Sequence, residues 1–125
     1  MPDRLKELYD LQHDLQATHF KDPATFTRDE AIEFIRWNVL ALHDELSEAL
    51  QEVGWKPWAD SNHIHREEYI GELVDALHFL FNLFLAVGAT PADIYYGYKK
   101  KNEKNRKRQL DGYTGEKDHN GREID

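Results

Sequence analysis

Glu45-Leu46-Ser47-Glu48 and its echo Glu72-Leu73-Val74-Asp75 are two acid–x–x–acid pairs. On a helix, residues i and i+3 share a face, so each pair projects two carboxylates the same way. Two such helices side by side gather four carboxylates around one small space. Like charges repel there, and burying them together is costly. A divalent cation relieves that cost. Hard cations such as Mg²⁺ take oxygen ligands and often carry substrate phosphates. The pattern therefore points to a helical protein with a Mg²⁺ site that works on a phosphate compound. The dull alternative is a pair of solvated acid patches matched by lysines.

Outward from these pairs, the chain reads as helical nearly throughout. Thr27-Arg28-Asp29-Glu30 is a capping box that starts the helix carrying the first pair. Its core stripe is Ile32, Ile35, Val39, Leu42, Leu46, Leu50 and Val53, and Gly54 is expected to end it after about 26 residues. Glu45, Glu48 and Glu52 lie off that stripe, on a face shared with Phe34, Asn38 and Ala41. The second pair sits on a helix from about Arg66 to Val87, closed by Gly88. There Ile70, Leu73, Leu77, Leu80 and Phe84 make the main stripe. The acid face turns apolar at Phe79 and Leu83, which marks a buried helix and turns the acids toward protein or a cleft.

An earlier helix spans Asp3 to about Thr18, with Leu5, Leu8, Leu11 and Leu15 on one face, and Lys21-Asp22-Pro23 breaks it. Trp55-Lys56-Pro57-Trp58 is an aromatic loop with one cation, and Asp60 to His65 reads as polar and mobile. Thr90-Pro91 caps and opens a last helix that carries Ile94, Tyr95, Tyr98 and Asn102. Lys99, Lys100, Lys101, Lys104, Arg106, Lys107 and Arg108 crowd onto it. That run is either a solvated helix end or a phosphate clamp, and Asn102 and Asn105 among the cations favour the clamp. His63 and His65 resemble a metal pair but lack a partner in their loop. His43 and His78 read as helix-packing residues.

Composition sets outer bounds. The 125 residues predict one all-α domain over 1–110, a bundle of four to five helices, with a loop or tail over 111–125. The absence of cysteine excludes disulfides and thiolate zinc sites. No run approaches the roughly 18–20 apolar residues of a membrane span. Met1-Pro2-Asp3-Arg4 is not the start of a signal sequence, so a cytoplasmic location is expected. A net charge of −8 argues against general nucleic-acid binding.

These motifs together resemble the all-α nucleoside triphosphate pyrophosphatases, a superfamily that includes the dimeric dUTPases and the MazG-type enzymes. The two acid pairs stand 23 residues apart, as in that superfamily. Trp55-Lys56-Pro57-Trp58 looks like the W-K-x-W of the dimeric dUTPases, and Glu72 to Phe79 looks like their E-I-V-D-x-x-H-F. Lys101-Asn102-x-x-Asn105-x-x-Arg108-Gln109-x-x-Gly112-Tyr113 is similar to their C-terminal motif, and Leu11-Gln12 to the L-Q of their first helix. The likeness covers about residues 8–115. The family's first helix usually continues L-Q-x-x-L-N, and here Gln16 stands at the Asn position.

The resemblance implies a homodimer that uses Mg²⁺, with Mn²⁺ able to substitute, to hydrolyse dUTP and dUDP to dUMP. It implies Glu45, Glu48, Glu72 and Asp75 as metal ligands; the chemistry of water activation beside a metal adds Glu45 and Glu48 as the expected catalytic carboxylates, with Glu45 as the base. Lys56, Lys101, Asn105 and Arg108 would hold phosphates. Gln12, Asn38, Trp55 and Asn102 would contact base or sugar. The chain length resembles compact bacterial or phage versions, which would act in the host cytoplasm. Two alternatives stand beside this reading. One is a MazG-like pyrophosphatase for other or modified dNTPs, and the other is a helical interaction module without enzymatic activity.

Overall fold

A computed structural model describes residues 2–112; Tyr113 of the C-terminal motif and the rest of the expected tail lie outside the described residues. The described residues hold four α-helices, α1 (Arg4–His19), α2 (Arg28–Gln51), α3 (Arg66–Leu85) and α4 (Pro91–Leu110), and a 3₁₀ turn at Pro23–Thr25. No helix among them is long and apolar enough to cross a membrane. The chain divides into two compact units, one ending at Thr90 and the other beginning at Pro91.

Local chemistry sets the helix starts. Asp3 caps α1 by accepting the Lys6 N–H at 3.0 Å. Asp22 caps the 3₁₀ turn and binds His13 Nε2 at 2.8 Å, which ties the end of α1 to the turn. The capping box of α2 forms as its sequence requires: Thr27 Oγ1 accepts the Glu30 N–H at 3.2 Å and Glu30 Oε1 accepts the Thr27 N–H at 2.9 Å. α2 stops at Gln51, three residues before Gly54, because Val53 leaves the helix to form an isolated antiparallel bridge with Ile64. Gly88, with φ +70°, turns the chain after α3.

The dominant packing is α2 against α3, with α1 laid on α3. Ala49 of α2 and Ala76 of α3 are among the most buried residues. Small side chains on both helices let the two backbones come close. Phe81, Leu85 and Ala86 complete the α3 side, and Tyr9 packs edge-on to Phe81 with centroids 5.5 Å apart. The Tyr9 hydroxyl donates to the Ala89 carbonyl at 2.6 Å, pinning α1 to the turn after α3.

Which faces are covered differs from the sequence expectation. The buried residues of α1 are Tyr9, Gln12 and Gln16, whereas Leu8, Leu11 and Leu15 are exposed. On α2 and α3, Ile32, Val39, Leu46, Leu50, Ile70, Leu73, Leu77 and Leu80 are likewise at least a third exposed. Helical periodicity identifies an apolar face but not what covers it. In a single chain these stripes are largely uncovered.

The loop from Val53 to His65 is also more ordered than its polar composition suggests. Gly54 N–H donates to the His63 carbonyl at 2.8 Å, and His65 N–H to the Glu52 carbonyl at 2.9 Å. A Cβ at Gly54 would lie 2.7 Å from the Ser61 carbonyl carbon and 2.8 Å from Asn62 N. Those neighbours are backbone and cannot swing aside. Gly54→Ala is therefore expected to open the loop and lower stability by about 1–3 kcal/mol, the usual range for overpacking, measured by urea unfolding.

Candidate metal centre and adjoining cleft

Because α2 and α3 pack closely, their acid pairs converge. Carboxylate oxygens of Glu45, Glu72 and Asp75 lie within 4.8 Å of one another, and so do those of Asp44, Glu45 and Glu48. The two triads share Glu45. All four sequence-predicted acids are thus brought together, and Asp44, which the sequence reading passed over, joins them. Oε2 of Glu45 and Oε2 of Glu72 are buried with no hydrogen-bond partner among the described residues.

Electrostatics shows what this proximity costs. Glu45 is pushed above the ordinary carboxylate range chiefly by burial, with the charges of Glu48 and Asp75 adding to it. Glu48 is pushed up first by its hydrogen bond with Glu72 and by that group's charge. At Glu72 the bond with Glu48 pulls down, but the bond with Glu45, burial and the charges of Glu45 and Asp75 outweigh it. Carboxylates this close bond to each other only by sharing a proton. A hard divalent cation fits this donor set, since it would satisfy the orphan oxygens and remove the repulsion at once.

Asp75 also lines an open cleft of about 700 Å³ in the same unit, so the acid cluster and the cleft are continuous. Phe20, Phe26, Phe34, Trp37 and Phe79 give the cleft aromatic walls. Its buried polar lining is amide, with Gln12, Gln16, Asn38 and Asn82 each no more than 8% exposed, and Lys21, Glu30, Glu33, Asp75 and His78 also line it. Gln12 Nε2 donates to Asn82 Oδ1 at 2.8 Å, Asn82 Nδ2 to Asn38 Oδ1 at 2.9 Å, and Asn38 Nδ2 to the Phe34 carbonyl at 2.8 Å. Of the sequence-predicted base or sugar residues, Gln12 and Asn38 line this cleft and Trp55 does not.

Trp55 and Trp58 instead meet edge to face at 5.8 Å in their loop, with Lys56 Nζ 6.0 Å from the Trp55 ring centre. Lys101, Asn102, Asn105 and Arg108 lie on α4, where Arg108 donates to Asn105 Oδ1 at 3.0 Å. His78, expected to pack between helices, is instead exposed and lines the cleft, with its Nδ1–H donated to the Val74 carbonyl of its own helix at 2.8 Å. His65 has a partner after all, Glu52 Oε2 at 3.2 Å, and its ring lies 4.7 Å from that of His63. Neither histidine joins a metal-capable group of three among the described residues.

The sequence reading missed Trp37 and Asn82 as cleft residues. Asn82 did carry a signal. It is the lone amide in the apolar run Phe79-Leu80-Phe81-Asn82-Leu83-Phe84, and it follows Asp75 by two helical turns on the same face. Trp37 carried none beyond being an aromatic one residue before Asn38.

The raised acids have a definite pH signature. Between the ordinary value of 4.5 and their raised values, the folded state binds more protons than the unfolded chain. Stability from these groups is therefore present at low pH and lost as pH rises through the folded values. Asp22, held below the carboxylate range chiefly by its bond to His13, works in the opposite direction. With metal chelated at neutral pH, Glu48→Gln is expected to melt above the unmodified protein in differential scanning fluorimetry. In excess Mg²⁺ that order should reverse.

Comparison with known proteins places the architecture. A protein-family model described as dUTPase matches residues 4–91, well over half of the chain. No curated protein and no solved structure matches it. The matched span runs from the first residue of α1 through α2 and α3, and so includes both acid pairs and every cleft residue. With its all-helical fold and its carboxylate cluster on α2 and α3, the chain belongs to the dUTPase family, among the all-α nucleotide pyrophosphatases related to MazG.

Proposed function

We propose that the chain is a Mg²⁺-dependent pyrophosphohydrolase that converts dUTP to dUMP and pyrophosphate, and dUDP to dUMP and phosphate, as a homodimer. One observation carries this reading: two carboxylate triads sharing Glu45 are continuous, through Asp75, with an aromatic and amide-lined cleft roomy enough for a nucleoside.

In this reading Glu45, Glu48, Glu72 and Asp75 hold the metal, and Asp44 extends the donor set. Those carboxylates would hold Mg²⁺, which would supply charge neutralisation at the phosphates and a more acidic water. Glu45, shared by the two carboxylate triads, would take the proton from the attacking water. Glu48 supports it through the neighbouring triad. Phe34, Phe79 and Trp37 offer faces on which a base can stack. Gln12 reads the base edge with Asn38 behind it in the cleft, Asn102 is a further base or sugar contact carried by the resemblance, and Trp55 offers a ring for stacking. Lys56, Lys101, Asn105 and Arg108 hold phosphates. Residues 91–112 carry seven bases against three acids, while residues 1–90 carry seven bases against 17 acids, so cationic chemistry is concentrated on α4.

Homodimer formation rests on the uncovered stripes. Leu8, Leu11 and Leu15 of α1 and Val74 and Leu77 of α3 are too apolar and too contiguous for a solvated surface, and a second copy would cover them. The MazG-like alternative has one observation in its favour, the buried Gln16 in the cleft where the dUTPases usually carry Asn.

Pyrophosphate release from dUTP, dCTP, dTTP, dATP, dGTP and UTP in Mg²⁺ tests the activity. dUTP is expected to lead, and Glu45→Gln to lower kcat by roughly 100-fold or more without unfolding. A purine or several dNTPs in the lead favour the MazG-like enzyme, and no turnover of any favours the interaction module. Light scattering after gel filtration should give twice the chain mass of 14.7 kDa; a monomer would remove the dimer.

A further inference from the structure

The amide chain in the cleft has a direction, and the direction is forced. The Phe34 carbonyl can only accept, so the Asn38 group 2.8 Å from it must be the NH₂. Asn38 Oδ1 then faces Asn82 and takes its Nδ2–H. That leaves Asn82 Oδ1 to accept from Gln12 Nε2. Each amide is locked by the next, and the three side chains come from α2, α3 and α1 in turn. At the free end stands Gln12 Oε1, buried and with no hydrogen-bond partner among the described residues. A buried acceptor left unpaired is destabilising, and what it lacks is a donor.

We propose that this relay is the base reader of the cleft: Asn82 and Asn38 are positioning residues that fix Gln12 Oε1 as an acceptor, which selects a nucleobase presenting a ring N–H. The inference rests on the cleft being the base site of the proposed enzyme, and goes beyond it by naming what sets the selection. Uracil offers its N3–H to such an acceptor. Cytosine has a bare lone pair at N3, so acceptor would face acceptor. Its exocyclic amino group reaches Oε1 only if the ring slides one position along its edge, which displaces the sugar as well. Without Asn82 the Gln12 amide is free to rotate and to present either its oxygen or its NH₂. A site that can do both no longer distinguishes the two pyrimidines.

The test measures dUMP and dCMP binding by calorimetry, and dUTP and dCTP turnover, for the unmodified protein, Asn82→Leu and Asn82→Asp. The unmodified protein should prefer the uracil nucleotide by roughly 10-fold or more. Asn82→Leu should bring the ratio near unity through KM and Kd, with kcat on bound substrate little changed. Protonated, Asn82→Asp should keep the preference, because its carboxyl still offers Gln12 Nε2 an acceptor and its O–H still reaches Asn38 Oδ1; ionised, it sets acceptor against acceptor at Asn38, so the ratio should fall as pH rises. A merely structural role for Asn82 would lower the melting temperature of both variants and leave the ratio alone.

A folded Asn82→Leu protein with an intact ratio overturns the relay, as does an unmodified protein that binds both nucleotides alike or neither. If Asn82→Leu does not fold, Asn38→Ala severs the same chain one link further on and should also lower the ratio; an unchanged ratio there overturns the relay. A protein that prefers dUMP over dCMP but hydrolyses no nucleotide would remove the pyrophosphohydrolase reading and leave the relay standing.

Discussion

The close approach of α2 and α3 is the constraint on which the rest of the structure depends. Ala49 and Ala76 lie within four or five residues of Glu45 and Glu72 along their helices, and both are nearly sealed from solvent. Larger side chains there would hold the helices apart and relax the carboxylates. Oxygens from both helices fall within 4.8 Å, and the fold accepts mutual repulsion that a shared proton or a bound cation would relieve. Burial and charge thus act together. The packing of α2 against α3, the most extensive in the body, holds the helices against the repulsion that their acids create.

Much of this was legible in the sequence because it is local. Helix starts are announced within four residues, as at Asp3 and Thr27, and the acid pairs are read from a spacing that any helix enforces. The coverage of helix faces was not legible. Leu8, Leu11 and Leu15 have the spacing of a core stripe, yet α1 turns Tyr9, Gln12 and Gln16 inward. Tyr9 and Gln12 each find a specific long-range partner, Ala89 and Asn82, that no local pattern reveals. Asn82 shows the same limit from the other side. An amide in an apolar run is a visible anomaly, but its role depends on residues 44 and 70 positions away.

The loop after α2 illustrates how composition misleads. Its polar residues suggested motion, but order here comes from backbone bonds across the bridge at Val53 and Ile64 and from the tight seat of Gly54. Residue type says little about either. The same loop gives His65 its Glu52 partner, a pair separated by 13 positions and joined only because the bridge brings the two strands of chain together.

The three linked amides of the cleft stand on three separate helices, so their hydrogen bonds span the main packing interfaces of the body. Amide geometry tolerates shifts of only a few tenths of an ångström before a bond weakens. Any change that slides α1 along α3, even one at Tyr9 or Ala89, neither of which lines the cleft, is transmitted to the Gln12 amide. Chemical selectivity in such an arrangement is an inherited property of how the helices are stacked. Drift in the packing residues can therefore retune the choice of ligand with every cleft residue unchanged.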